Sequence, residues 1–151
     1  MSETLAEAYE RLMLPVRAGD LSPAALTAAF EAATACMTFT ADEVQRNALG
    51  QFELREMTDD NNRSIAAKEA TAMRSVVDVV LEGKRSNDDQ RKAEQLKLLA
   101  KNHEWQHLVT TRDQYRRNAV TDSIMQTRLS STATLWRYRV EWLIELLRAS
   151  S

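Results

Sequence analysis

From His103 to Arg148 the sequence holds neither glycine nor proline. Helical throughout at ~1.5 Å per residue, this run would reach about 70 Å, longer than the core of a compact small domain. Such a helix must find neighbours along its whole length. Stepping alternately three and four residues from Trp105 visits Leu108, Arg112, Tyr115, Ala119, Asp122, Gln126, Leu129, Ala133, Trp136, Val140, Leu143 and Leu147; ten of the thirteen positions are apolar. That spacing is a coiled-coil-like seam. Its polar members, Arg112, Asp122 and Gln126, cluster in the middle.

The partner for this seam comes from the rest of the chain. Three Gly and two Pro among 151 residues, with abundant Ala, Leu, Glu, Gln, Arg and Met, make a helix-former's composition, and the expected class is all-α. A first helix is expected from about Thr4 to Leu14, ended by Pro15 and Gly19-Asp20. Ser22-Pro23 restarts the chain as N-cap followed by proline at the first helical position. Thr40-Ala-Asp-Glu43 spells a capping box and predicts a third start. From there to Leu81 no proline intervenes, and the polar passage 58–64 is expected to fray or bend the helix. Asn87 is expected to cap a short helix over 88–100 that buries Ala93, Leu96 and Leu99, and Lys101-Asn102 bends the chain into the long helix.

These readings give a single domain. Residues 1–39 are short helices packing on a bundle, and 40–151 form an elongated antiparallel helical hairpin with the short helix 88–100 at its corner. The second long segment is also polar in its middle, so the hairpin would set polar layer against polar layer and fix the register at some cost in stability.

Near its end the long helix carries a second apolar stripe, Leu135, Tyr138, Trp142 and Leu146, well around the helix from Trp136, Val140, Leu143 and Leu147. Two apolar faces exceed what one hairpin partner covers. A homo-oligomer assembled through this stripe is the expectation.

The net charge of −2 conceals an asymmetry. Residues 1–82 hold seven Lys/Arg against fourteen Asp/Glu; residues 83–151 hold thirteen against eight. Either the basic half meets a polyanion, or acidic and basic halves meet each other, within one chain or between copies. Lys84, Arg85, Arg91 and Lys92 crowd the corner and the short helix, and Arg112, Arg116 and Arg117 continue onto the long one. Cations neutralise phosphates and rings stack on unpaired bases, so these residues, with the alternation of rings and guanidinium groups over 136–142, are candidates for a single-strand-binding surface.

One motif suggests catalysis instead. His103-Glu104-Trp105-Gln106-His107 reads H-E-x-x-H, in which histidines four apart on a helix bind Zn²⁺ while the glutamate activates water. No third histidine follows, Glu141 lies too far along the same helix, Lys101 puts a charge just ahead of the motif, and no strand supplies a substrate-binding edge. His103 and His107 are therefore read as two exposed histidines at a helix start, with a small zinc protease as an alternative. The one cysteine, Cys36, has no nearby histidine and sits in an apolar run, as a small buried hydrophobe does. With no glycine-rich phosphate loop either, the expectation is a protein that is not an enzyme and carries no cofactor. No signal peptide, no apolar run long enough to cross a bilayer and no lipidation motif are recognised, and a cytoplasmic location follows.

The segment Gly83-Lys-Arg-Ser-Asn-Asp-Asp-Gln-Arg-Lys-Ala, then Glu104-Trp105 reopening the helix, then one long arginine-bearing helix ending in aromatic and leucine residues, resembles small helical proteins of phage recombination and replication modules. The helical-hairpin plan is similar to that of recombination mediators of the UvsY type. The resemblance spans about residues 65–148. It implies a homo-oligomer that binds single-stranded DNA and helps load a recombinase. A second expectation, independent of the resemblance, is a helical interaction or assembly protein, structural or inhibitory, acting by protein contacts alone.

Overall fold

In the computed structural model the backbone is described over residues 3–81 and 88–150. Among these residues the chain is all-α, with four helices: α1 (Leu5–Arg17), α2 (Pro23–Leu81), α3 (Asp88–Ala100) and α4 (His103–Ala149). Gly83, the corner cations Lys84 and Arg85, and the Asn87 cap lie outside the described residues.

The helix ends follow local chemistry. Thr4 caps α1 through a full capping box with Glu7. Pro15 does not end the helix as its sequence suggests; α1 runs on to Arg17, because Val16 is buried and the last turn closes around it. The stop is a Schellman motif. Gly19 takes φ +96° and donates to Val16 O, while the Asp20 N–H reaches Pro15 O at 3.0 Å. Ser22 then caps α2, its Oγ accepting from the Ala25 N–H at 3.4 Å, with Pro23 in the first turn as expected.

No helix starts at Thr40. α2 passes straight through it, and the threonine, buried, donates from Oγ1 to the Cys36 carbonyl at 2.8 Å. Neither glycine nor proline breaks the chain between Ala24 and Leu49. With the hydroxyl satisfied by the preceding turn, nothing is gained by stopping there. Nor does α2 fray over 58–64: Thr58 bonds back to Leu54 O and Asn61 is buried. One window of α2, within Pro23–Val77, reaches a mean hydropathy of 1.2 over eighteen residues, long and apolar enough by composition to cross a bilayer, which the sequence reading did not expect. It is rich in alanine, and only 28% of it is buried.

The chain forms two compact units. Unit 1 comprises residues 1–49 and 123–151, unit 2 residues 50–122. In unit 1, α1 and the first part of α2 enclose the last part of α4. Tyr9, Met13 and Val16 from α1, Leu26, Ala29, Ala33 and Cys36 from α2, and Trp136, Val140 and Leu143 from α4 make one buried apolar cluster. Trp136 meets Tyr9 edge to face, centroids 4.9 Å apart. The Arg139 guanidinium lies over both rings, 4.6 Å from Trp136 and 5.0 Å from Tyr9, and reaches Glu10 at 3.7 Å. Cation, rings and carboxylate close the edge of this core.

In unit 2 the second part of α2, α3 and the first part of α4 pack with little apolar material. Among the described residues, those buried there are Asn61, Ile65, Val76 and Leu99. Side-chain amides fill what hydrocarbon does not: Gln51 Nε2 donates to Asp122 O at 2.9 Å, Asn61 Nδ2 to Leu108 O at 2.9 Å and Gln95 Nε2 to Glu69 O at 2.8 Å. The α3 stripe therefore differs from the expected one. Gln95 and Leu99 face inward, whereas Ala93 is exposed and Leu96 is 59% exposed, because the Gln95 amide has a backbone carbonyl to bond and the leucine at 96 has no helix to cover it.

Candidate nucleic-acid interface

The long helix presents the expected seam. Of its thirteen positions from Trp105 to Leu147, all but Ala119 are buried or half-buried. Beside Ala119 in unit 2 an open groove of about 310 Å³ is lined by Gly50, Leu54, Asn118 and Asp122. The partner face on α2 was harder to see in the sequence. It runs Ala29, Ala33, Cys36, Thr40, Val44 and Asn47 in unit 1 and Gln51, Leu54, Thr58, Asn61, Ile65, Lys68, Ala72 and Val76 in unit 2, again at three- and four-residue steps. Five of those positions, Asn47, Gln51, Thr58, Asn61 and Lys68, are strongly polar, so a search for hydrophobic periodicity passes over them. The signal was present as heptad spacing of amides. Within unit 1, Asn47 Nδ2 donates to Gln126 Oε1 at 2.7 Å, an amide pair at one of the polar seam positions of α4.

The candidate phosphate-binding cations fall in unit 2. Arg91 and Lys92 belong to α3; Arg91 is half-buried and sits 3.8 Å from Asp88. Arg112, Arg116 and Arg117 belong to α4. Arg112 is at a seam position, partly covered and turned toward Asp113 at 3.4 Å, and Arg116 follows one turn later on the same side. Lys92, Arg116 and Arg117 are exposed, and among the described residues no carboxylate pairs with them.

Among the described residues the charge asymmetry is not consumed by ion pairs between the two halves. Among the described residues, cations of the basic half pair with carboxylates of their own helix: Lys97 with Glu94, Arg137 with Glu141 and Arg148 with Glu145, besides Arg91 and Arg112. One ion pair from these cations, Arg139 to Glu10, reaches the acidic half.

At the opening of α4, Asn102 accepts the Trp105 N–H at 3.0 Å and caps the helix. The Trp105 indole N–H donates to Glu69, and Lys68 bonds the Glu104 carboxylate. That bond and the ammonium charge hold the Glu104 carboxyl below the usual glutamate range. His103 and His107 are both exposed along an open groove of about 550 Å³ that Ser64, Lys68, Glu104 and Leu108 also line. The arrangement suits a helix start clamped to α2. A zinc site needs a third protein donor beside the two imidazoles, and among the described residues no group of three His, Cys, Asp or Glu comes together.

The aromatic run divides. Trp136 is in the core with Arg139 over it, so neither presents a free stacking face, while Tyr138 and Trp142 point outward, 57% and 49% exposed, with the Arg137 guanidinium 5.5 Å above the Tyr138 ring. Leu135 is likewise 48% exposed. Leu146, grouped with these three by spacing, packs against the unit 1 core. Cys36 is buried in that core, and burial pushes its thiol up from the ordinary cysteine value. Compared with family models, curated proteins and solved structures, the chain matches none.

Proposed function

We propose that this protein is a non-enzymatic, self-associating accessory protein that binds single-stranded nucleic acid through cations of α3 and α4 and, as the mediator resemblance implies, helps load a recombinase. The observation that carries the reading is the uncompensated basic charge. Lys92, Arg116 and Arg117 are exposed without a carboxylate partner among the described residues, although the acidic half is rich in them. Cations held free of internal partners are what phosphate neutralisation uses, and repetition around an assembly multiplies the attraction. The exposed rings Tyr138 and Trp142 supply faces of the kind that bases stack on.

Titrating a fluorescent single-stranded oligonucleotide at increasing salt tests this. Binding at about 50 mM salt that weakens steeply as salt rises is the expected result, since each neutralised phosphate releases about 0.7 counterion on a single strand. Replacing Arg116 and Arg117 by glutamate should flatten the slope by one to two contacts. No binding at that salt removes the nucleic-acid reading.

A second reading is favoured by a separate observation. Leu135, Tyr138 and Trp142 form an exposed apolar stripe opposite the buried seam. A helical interaction or assembly protein acting by protein contacts alone would use that face without needing the arginines. Retained self-association with no oligonucleotide binding would select it.

A further inference from the structure

The outward face of α4 in unit 1 has a heptad of its own. Counting back and forward from Leu135 and Tyr138 by threes and fours gives Ile124, Arg128 and Ser131 on one side and Trp142, Glu145 and Ala149 on the other, every one of them exposed. A helix with a buried seam on one side and a second seam on the other asks for a second helix.

The order of residues says which helix. In a parallel pairing with another copy, like would meet like: Arg128 over Arg128, Glu145 over Glu145, and the large Trp142 over its counterpart. An antiparallel pairing about a two-fold axis between Trp136 and Arg137 removes each conflict. Leu135 then packs on Tyr138 of the second copy, and the small Ser131 faces the bulky Trp142. Arg128 meets Glu145, and Ile124 meets Ala149 at the ends. Each of these pairs occurs twice, as a closed two-fold interface requires. The cation at 128 has no carboxylate partner among the described residues, and Glu145 is held only by the neighbouring Arg148, at 2.7 Å on an exposed face. Slipping one heptad either way loses the match: one slip puts Leu135 against Glu145, the other puts Arg128 against Tyr138 and Glu145 against Thr121.

We propose that the outward face of α4 is a self-complementary interface, along which a second copy of this chain packs antiparallel in the register that sets Arg128 against Glu145, Ser131 against Trp142 and Leu135 against Tyr138. The register rests on the self-association proposed above and is independent of nucleic-acid binding.

Charge reversal tests it, because residues 128 and 145 lie about 25 Å apart on one helix at ~1.5 Å per residue and can compensate each other only between copies. Sedimentation equilibrium would be measured on the full chain, with circular dichroism to establish that each variant keeps its helix content. Arg128→Glu and Glu145→Arg should each raise the dimer dissociation constant roughly tenfold, two exposed pairs turning from attraction to repulsion. The double variant should return to within about threefold of the parent. Trp142→Glu should leave monomer with unchanged helix content. A parent that is monomeric at every concentration overturns self-association and the interface with it. If Trp142→Glu dissociates the protein but the double reversal does not recover affinity, self-association stands and this register falls.

Discussion

Unit 1 and unit 2 are built from the same two long helices, yet they are held by different forces. Unit 1 has an apolar centre: ten buried residues from three helices, led by Leu26 and Leu143 with no exposed surface at all. Among the described residues, unit 2 buries Ile65, Val76 and Leu99 and otherwise closes on amides, with Asn61, Gln51 and Gln95 donating to backbone carbonyls of neighbouring helices. Burial of hydrocarbon is non-directional and tolerates small shifts. A side-chain amide bonded to a carbonyl tolerates few, because the bond weakens steeply with distance and angle. One helix pair can thus change its means of cohesion along its length while keeping its three-and-four spacing.

The sharpest way to break this comparison is in unit 1. Leu143→Ala should lower unfolding free energy by about 2–5 kcal/mol in a denaturant titration. A loss below about 1 kcal/mol would mean that the apolar cluster does not hold the unit. In unit 2 the corresponding change is Asn61→Ala, expected to remove about 0.5–1.5 kcal/mol by losing the amide's bond to the Leu108 carbonyl, which keeps its partner within α4. Equal tolerance of alanine at both sites would erase the distinction. The smallest effect belongs to the Lys68–Glu104 clamp. Its lowered carboxyl contributes stability that is fully present above the ordinary glutamate value of about 4.3 and is lost as pH falls through the lower native value. Lys68→Met should therefore lower the plateau near neutrality slightly and leave the stability at low pH unchanged, flattening the acid side of the profile, an effect that acid titrations of the two proteins would register.

Much of unit 1 was legible because its signals are hydrophobic. The Trp136, Val140, Leu143 seam, the Ser22-Pro23 start and the separate Leu135, Tyr138, Trp142 face all follow from spacing and capping chemistry. The errors came where polar groups behave in two ways. Thr40-Glu43 spells a cap, but a threonine hydroxyl is satisfied as well by the carbonyl one turn back, and the continuous stripe around it decides in favour of helix. Pro15 spells a stop, but the stop belongs to Gly19, which takes the left-handed conformation. On α3 the choice of inward face turned on Gln95, whose carbonyl partner sits on Glu69, far away in sequence. As for the candidate site, the arginines were visible as a charge imbalance. That Lys92, Arg116 and Arg117 have no carboxylate partner among the described residues depends on where the carboxylates end up, which composition does not reveal.

The amide pair Asn47–Gln126 has a consequence for how the chain finds its fold. Two helices whose seams step by threes and fours can be slid by seven residues and keep that spacing. Slid either way, Asn47 would face Ala133 or Ala119, each a bare methyl with nothing to offer an amide. The pair works as an index mark on an otherwise repetitive ruler: a hairpin slid by one repeat loses this amide bond, and the aligned one keeps it.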